Sequence, residues 1–264
     1  ADLYGRIKYA SPSLQKLMSG TTPESDLLED WVHDDDKNAV RKLFNALREG
    51  DAEISIEEWR MKSGDKTVEI EATGANLKDD PAIKGIVITL HEVTKQRNLE
   101  RDLKFKAFHD SLTGLANRVL FHERLEHALL RGHRDDKIVS VLFIDLDDFK
   151  IINDTLGHAV GDALLVEVGR RISGSIRSVD TAARLGGDEF AVLIEDAHQN
   201  VEAHILADKL CAQFREPFNV EGEILRISAS IGCALSTFGR SADEMLRYAD
   251  LALYEAKSDG KGHW

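Results

Sequence analysis

Two short acidic stretches carry residue types that could do phosphate chemistry. In Arg184-Leu185-Gly186-Gly187-Asp188-Glu189-Phe190, two glycines lead directly into two carboxylates, and the apolar run AVLIE follows. In Phe143-Ile144-Asp145-Leu146-Asp147-Asp148-Phe149-Lys150, Asp145 stands at the end of an apolar run. Glycine tolerates positive φ and so closes a tight strand turn. Without side chains, Gly186 and Gly187 also let a bulky group approach the backbone. A carboxylate at a buried strand end is costly unless it is paired or binds a metal. Carboxylates at two neighbouring strand ends beside such a turn describe a Mg²⁺ site for a nucleoside triphosphate. The plainer alternative is an acidic loop on a soluble domain.

The elements that must position these residues follow from periodicity. DSLTGLANR (110–118) reads as a turn into a helix. IVSVLFIDLD (138–147) is apolar throughout and predicts a central strand. AVGDALLVEVGRRISGSI (159–176) predicts an amphipathic helix, and 181–195 a hairpin centred on the double glycine. HILADKLCAQF (204–214) reads as a helix and ILRISASIGCAL (224–235) as one strand. SADEMLRYADLALYEAKSDG (241–260) reads as a helix with Gly260 near its stop. Such alternation implies a sheet covered by helices.

The first part of the chain is built differently. DKNAVRKLFNALREG (36–50) has apolar residues at 40, 43, 44 and 47 on one helical face, with Gly50 as its stop. Residues 53–62, 67–77 and 85–93 alternate as strands, separated by the turn signals SGD (63–65) and KDDP (78–81). A charged helix over 94–110, with Leu99 and Leu103 on one face, leads out of this α+β region.

Composition sets limits on both parts. The 264 residues carry a net charge of −13, which argues against a nucleic-acid partner. A small anionic ligand remains compatible, because local cations or a metal offset the bulk charge. Cys211 and Cys233 lie in apolar patterns without CxxC spacing and read as core thiols of a reducing compartment, which places this stretch in the cytoplasm. No apolar run reaches the roughly 20 residues of a membrane span, although this leaves a longer parent chain open.

Residues from about 105 onward resemble the GGDEF family of diguanylate cyclases in five blocks in order. These are DSLTGLANR (110–118), FIDLDDFKIINDTLGHAVGD (143–162), GGDEF (186–190), SASIG (228–232) and ADLALYEAKSDGKG (249–262). The resemblance implies an α+β fold related to the palm of nucleotidyl cyclases and polymerases. It also implies a reaction, the Mg²⁺-dependent condensation of two GTP to cyclic di-GMP and two pyrophosphates in a homodimer, with Mn²⁺ as the alternative ion. By position, Asp145, Asp188 and the Leu146 carbonyl match the metal ligands. Glu189 matches the glutamate placed near the attacking 3′-hydroxyl. Asn153 and Asp162 match the guanine readers. Asp148, Phe149 and Lys150 match the loop whose amides touch phosphates, beside Gly186 and Gly187. Lys257 matches a phosphate-binding lysine. Lys261 stands where the family usually has arginine, so weaker phosphate orientation is expected. Arg177 and Asp180 match an RxxD site through which the product, cyclic di-GMP, inhibits.

Residues 1–94 resemble a PAS sensor (antiparallel sheet with flanking helices), joined by a connecting helix (95–109) to the cyclase domain (110–264). The cues are YASPSLQKLM (9–18), WVHDDDKNAV (31–40), EEWRMKSGD (57–65) and GIVITLHEVTKQRNLE (85–100). Glu92 is a candidate partner for Arg60, coupling that domain to the helix. With no cysteine before residue 100, and His33 and His91 its only histidines, this part shows no cofactor signature. Two rival readings are a silent domain that senses GTP or cyclic di-GMP, possible also within a larger protein that carries a phosphodiesterase, and a purely structural dimerisation unit.

Overall fold

Ser11 and Pro12 start the first helix. The Ser11 hydroxyl accepts the Leu14 N–H, and proline takes an early helical position where no donor is needed. This helix, α1, spans Pro12–Leu17, and α2 spans Lys37–Glu49. Both belong to one of two compact units, Ala1–Asp102 and Leu103–Trp264. The computed structural model describes residues 1–18, 23, 25–49, 55–64, 66–135, 137–197, 201–236 and 241–264. The expected helix stop at Gly50, the first residues of the 53–62 strand and Asp65 of the SGD turn lie outside them.

In α2, the residues Val40, Leu43, Phe44 and Leu47 are all buried, as their spacing requires. They pack with Trp59, Met61, Ile70, Ala72 and Ile86 from an antiparallel sheet in the order β1 (Ser55–Ser63), β2 (Lys66–Leu77), β3 (Gly85–Glu92). A helix, α3 (Thr94–Phe108), follows without a break, and the division between the units falls within it. Arg60 does not meet Glu92. It is held by Asp36, through Nε at 2.8 Å and Nη2 at 2.9 Å, and by Asp35 at 3.3 Å. Asp36 also accepts the Arg60 N–H, so one carboxylate takes both backbone and side-chain donors of Arg60. The start of α3 is tied to the sheet by other pairs. Thr94 Oγ1 accepts the Glu69 N–H at 2.8 Å, Arg101 bonds Glu69 at 2.7 Å, and Arg97 pairs with Glu58.

In the second unit, α4 (Arg118–Asp135) leads into β4 (Ile138–Leu146), α5 (Phe149–Leu156) and α6 (His158–Ser173). The hairpin of β5 (Thr181–Gly186) and β6 (Glu189–Ala197) follows, then α7 (Val201–Arg215), β7 (Phe218–Val220), β8 (Glu223–Leu225), β9 (Ala229–Leu235) and α8 (Ala242–Ser258). The sheet runs β5-β6-β4-β9, all antiparallel. β4 is interior and buried on both faces, which is why its sequence is apolar without alternation. Leu142, Ile144 and Leu146 face α6 and α7 with Phe190, Val192 and Ile231. Val139, Val141 and Phe143 face α4 and α8 with Ala191, Leu193 and Met245.

Two expectations change here. The stretch 224–235 is not one strand. β8 pairs with β7 in a separate ribbon, and the chain turns at 226–228, where the Ser228 carbonyl accepts the Asp147 N–H at 2.9 Å. Phe149 and Lys150, matched with Asp148 to a phosphate-touching loop, open the helix α5. Its N-cap, Asp148, adopts φ 59°, and Phe149 turns its ring into the core.

Candidate active site

β4 and β6 bring the two acidic stretches together. Asp145 is the direct cross-strand neighbour of Glu189, and on its other side of Ser230. Directly opposed residues point to the same face, here the α4/α8 face. α8 therefore reaches the pair, and Lys257 Nζ bonds Asp145 Oδ1 at 2.7 Å. Burial raises the proton affinity of Asp145, Lys257 opposes this, and the charges of Asp188 and Asp147 add to it. Burial likewise raises Glu189. Arg118 at the start of α4 opposes the shift from 3.4 Å, and Asp145, Asp188 and Asp250 reinforce it.

The glycine turn between β5 and β6 is strained in the way its residues allow. Gly186 has φ 153° and Gly187 φ 51°, and a Cβ on either would meet open space. A substrate thus has access to this backbone. Arg184 fixes the turn, giving Nε and Nη2 to the Gly187 carbonyl at 2.9 and 2.8 Å. Its Nη1 bonds both oxygens of Asp110, at 3.1 and 3.2 Å. Burial opposes ionisation of Asp110, but Thr113 and Arg184 outweigh it and hold the carboxyl below its ordinary range. Asp110 and Arg118 bound the DSLTGLANR block and Arg184 precedes the glycine turn, and the motifs alone give none of them a role. Their only sequence signal is a charge flanking a glycine turn.

Asp148, Phe149 and Lys150 form the N-terminal end of α5, where the first amides of a helix have no intrahelical acceptor. Lys261 Nζ lies against Asp148 Oδ1 at 2.8 Å. Asn153, on α5, packs against Gly161 of α6, where an added Cβ would come within 1.9 Å of the Asn153 side-chain oxygen. Asp162, next to Gly161, is exposed. Arg177 and Asp180 already bond each other. Arg177 gives its backbone N–H (2.9 Å) and Nε (3.2 Å) to Asp180, and Nη1 to Glu202 at 3.0 Å. Cys211 and Cys233 are free thiols that burial pushes up to about 11, far from reactive.

Among the described residues, no three His, Cys, Asp or Glu side chains converge as a metal cage. Two carboxylates and a backbone carbonyl, Asp145, Asp188 and Leu146, are still the donor set that suits a hard cation shared with phosphate oxygens. The repulsion that Asp188 and Asp147 exert on Asp145 is what such a cation would relieve. Also among the described residues, no helix is long and apolar enough to cross a membrane.

Comparison with known proteins agrees with this geometry. Residues 107–263 match the family model described as diguanylate cyclase, GGDEF domain. The bifunctional diguanylate cyclase/cyclic di-GMP phosphodiesterase MucR of Pseudomonas aeruginosa is 46% identical over 169 residues, 64% of this chain and 24% of MucR. The probable diguanylate cyclase DgcE of Escherichia coli is 34% identical over 271 residues, 99% of this chain and 24% of DgcE. The chain thus spans about a quarter of the length of these relatives. Among solved structures, the GGDEF domain of TpbB from Pseudomonas aeruginosa superposes with a TM-score of 0.57 at 43% identity, covering 59% of this chain and 91% of that one. The coiled coil and GGDEF domain of DgcB from Caulobacter crescentus, in complex with c-di-GMP, gives 0.60 at 27% identity, covering 65% and 91%. With the paired strand-end carboxylates, the open double-glycine turn and the matched motif in one place, the chain belongs to the GGDEF family of diguanylate cyclases.

Proposed function

We propose that the second unit condenses two GTP to cyclic di-GMP and two pyrophosphates in a Mg²⁺-dependent homodimer. The observation that carries this reading is the pairing of Asp145 with Glu189 beside a glycine turn with open space above it. Asn153 and Asp162 read the guanine edge. The amides of Asp148, Phe149 and Lys150, with Lys257 and Lys261, hold the phosphates. Asp145, Asp188 and the Leu146 carbonyl would hold the ion, which when bound would offset triphosphate charge and supply Lewis acidity to the α-phosphoryl group. Glu189, whose proton affinity burial raises, accepts the 3′-hydroxyl proton, a role that favours a base shifted toward neutral pH. The 3′-oxygen forms its bond to the α-phosphorus of the other nucleotide, and the bond to pyrophosphate breaks. Each domain holds one GTP, so two sites must face each other across a two-fold axis.

The first unit acts in this scheme as a PAS-type sensor whose state passes along α3. Its sheet and N-terminal segment border an open cleft of about 1040 Å³ lined by residues including Ile7, Leu14, Leu28, Ile86, Ile88 and Leu90. The Arg97–Glu58 and Arg101–Glu69 pairs tie the helix to that sheet. Cyclic di-GMP inhibits at Arg177 and Asp180. Arg177 is half-exposed and its fork already bonds a carboxylate, so product binding exchanges one anion for another.

The test is GTP turnover with Mg²⁺ after bound nucleotide has been stripped, with products separated by chromatography. Cyclic di-GMP is expected from the unaltered chain, and a loss of about 100-fold or more in Asp188→Ala and Glu189→Ala. GTP binding without product over a range of protein concentrations would replace the cyclase reading by that of a nucleotide sensor.

A further inference from the structure

Asp147 is buried, 6% exposed, yet it has no part in the reaction scheme. Among the described residues, no Lys, Arg or His pairs with it; three uncharged donors hold it instead. Ser230 Oγ–H donates to Oδ1 at 2.7 Å, Ser228 Oγ–H to Oδ2 at 2.6 Å, and the Gly262 N–H to Oδ2 at 3.1 Å. A buried carboxylate without a counter-ion is tolerated when its lone pairs are filled this way. The bond to Gly262 reaches into the segment after α8, where Gly260, Lys261 and Gly262 have φ of 129°, 62° and 69°. A non-glycine residue keeps such a conformation only when its surroundings hold it.

The last turn of α8 and this segment deliver cations to the phosphate side of the site. Lys261 Nζ lies on Asp148 and Lys257 Nζ on Asp145, the other two carboxylates of the acidic stretch. The tail is pinned further along, where the Ile231 N–H bonds the His263 carbonyl at 3.0 Å and Arg215 bonds the Gly262 carbonyl at 3.0 Å.

We propose that Asp147 is a positioning residue for the nucleotide phosphates. It touches no substrate; by anchoring Gly262 it sets where Lys261 stands beside the N-terminus of α5. This rests on the phosphate-transfer reading of the site. In Asp147→Asn, the side chain keeps its shape but one acceptor becomes an N–H₂ donor facing a hydroxyl or amide donor. The lysine then loses the anchor on the site side and keeps only those from Ser230, Arg215 and Ile231.

The test is a double-mutant cycle in the whole chain with Asp147→Asn, Lys261→Ala and their combination. The probe is a GTP analogue with a methylene between the α- and β-phosphates, titrated by calorimetry. Each single variant is expected to bind about tenfold more weakly and the double variant no more weakly than either, because both remove one contact. If the unaltered chain turns GTP over, KM rises in the same ratio and kcat stays within about twofold. Unchanged analogue binding in a folded Asp147→Asn, or fully additive losses, would overturn the proposal. Should Asp147→Asn fail to fold, the cycle of Ser228→Ala with Lys261→Ala decides in the same way. Because the analogue reports binding without chemistry, absence of product from the unaltered chain would count against the cyclase reading alone.

Discussion

At the residue scale, the acidic pair works against folding. The ordinary value for Glu189 is 4.5, and the folded chain raises it. The folded state therefore binds this proton more tightly than the unfolded chain does. Its favourable contribution is complete below the unfolded value and is lost as pH rises through the folded one. Glu189→Gln should thus be more stable than the unaltered chain at pH 7 and lose that advantage below pH 4.5, read by thermal melts across pH. The gain should be about 1 kcal/mol or less, because Glu189 is partly exposed and Arg118 already offsets part of the cost. Asp36 behaves oppositely. Arg60 holds it down at about 2, so its contribution is full above its ordinary 3.8 and fades as pH falls toward 2. In Arg60→Ala the first unit should melt lower at pH 7 and differ little from the unaltered chain near pH 2.

At the element scale, the site depends on how closely backbones approach. A Cβ at Gly232 of β9 would stand 2.0 Å from the Ala249 carbonyl and 2.3 Å from the Leu253 nitrogen of α8. Neither backbone atom can rotate away, so Gly232→Ala should prevent α8 from docking, seen as loss of the second unit's cooperative melt. Gly161→Ala is different, because the obstructing atom is the end of the Asn153 side chain. The helices can remain while Asn153 is displaced. KM for GTP should rise about tenfold, and preference over ATP should fall, with circular dichroism unchanged. Arg184→Ala would cut the Asp110 link and the two bonds to Gly187. With the turn free to shift by an ångström, kcat should fall about 100-fold.

At the scale of the whole molecule, the proposed reaction, which joins two nucleotides held on separate domains, would make activity a function of assembly. Specific activity should rise with protein concentration and level off once the dimer is saturated, in a dilution series monitored by product formation. Arg177→Ala should keep that rise but lose the decline as cyclic di-GMP accumulates. Because Arg177 also bridges Asp180 and Glu202, the variant should melt slightly lower.

The sequence by itself determined the family motifs and most of the elements that bear the candidate site residues. The apolar run before Asp145 made a central strand, the double glycine made the hairpin turn, and Ser241 with Glu244 makes the capping box that starts α8. These are local signals, set by periodicity, φ preference and caps. Tertiary structure decided what those residues touch. The register that sets Asp145 opposite Glu189 comes from strand pairing across more than forty residues. Arg60 met Asp36 and not Glu92, the strand expected at 224–235 broke over 226–228, and Phe149, matched to a phosphate-touching loop, opens a helix with its ring in the core. Each outcome was settled by competition among distant partners for one donor, one acceptor or one apolar face, and no local pattern encodes that competition. Asp147 shows the difference most plainly. In sequence it is one of three similar aspartates, and only folding encloses it among two hydroxyls and an amide.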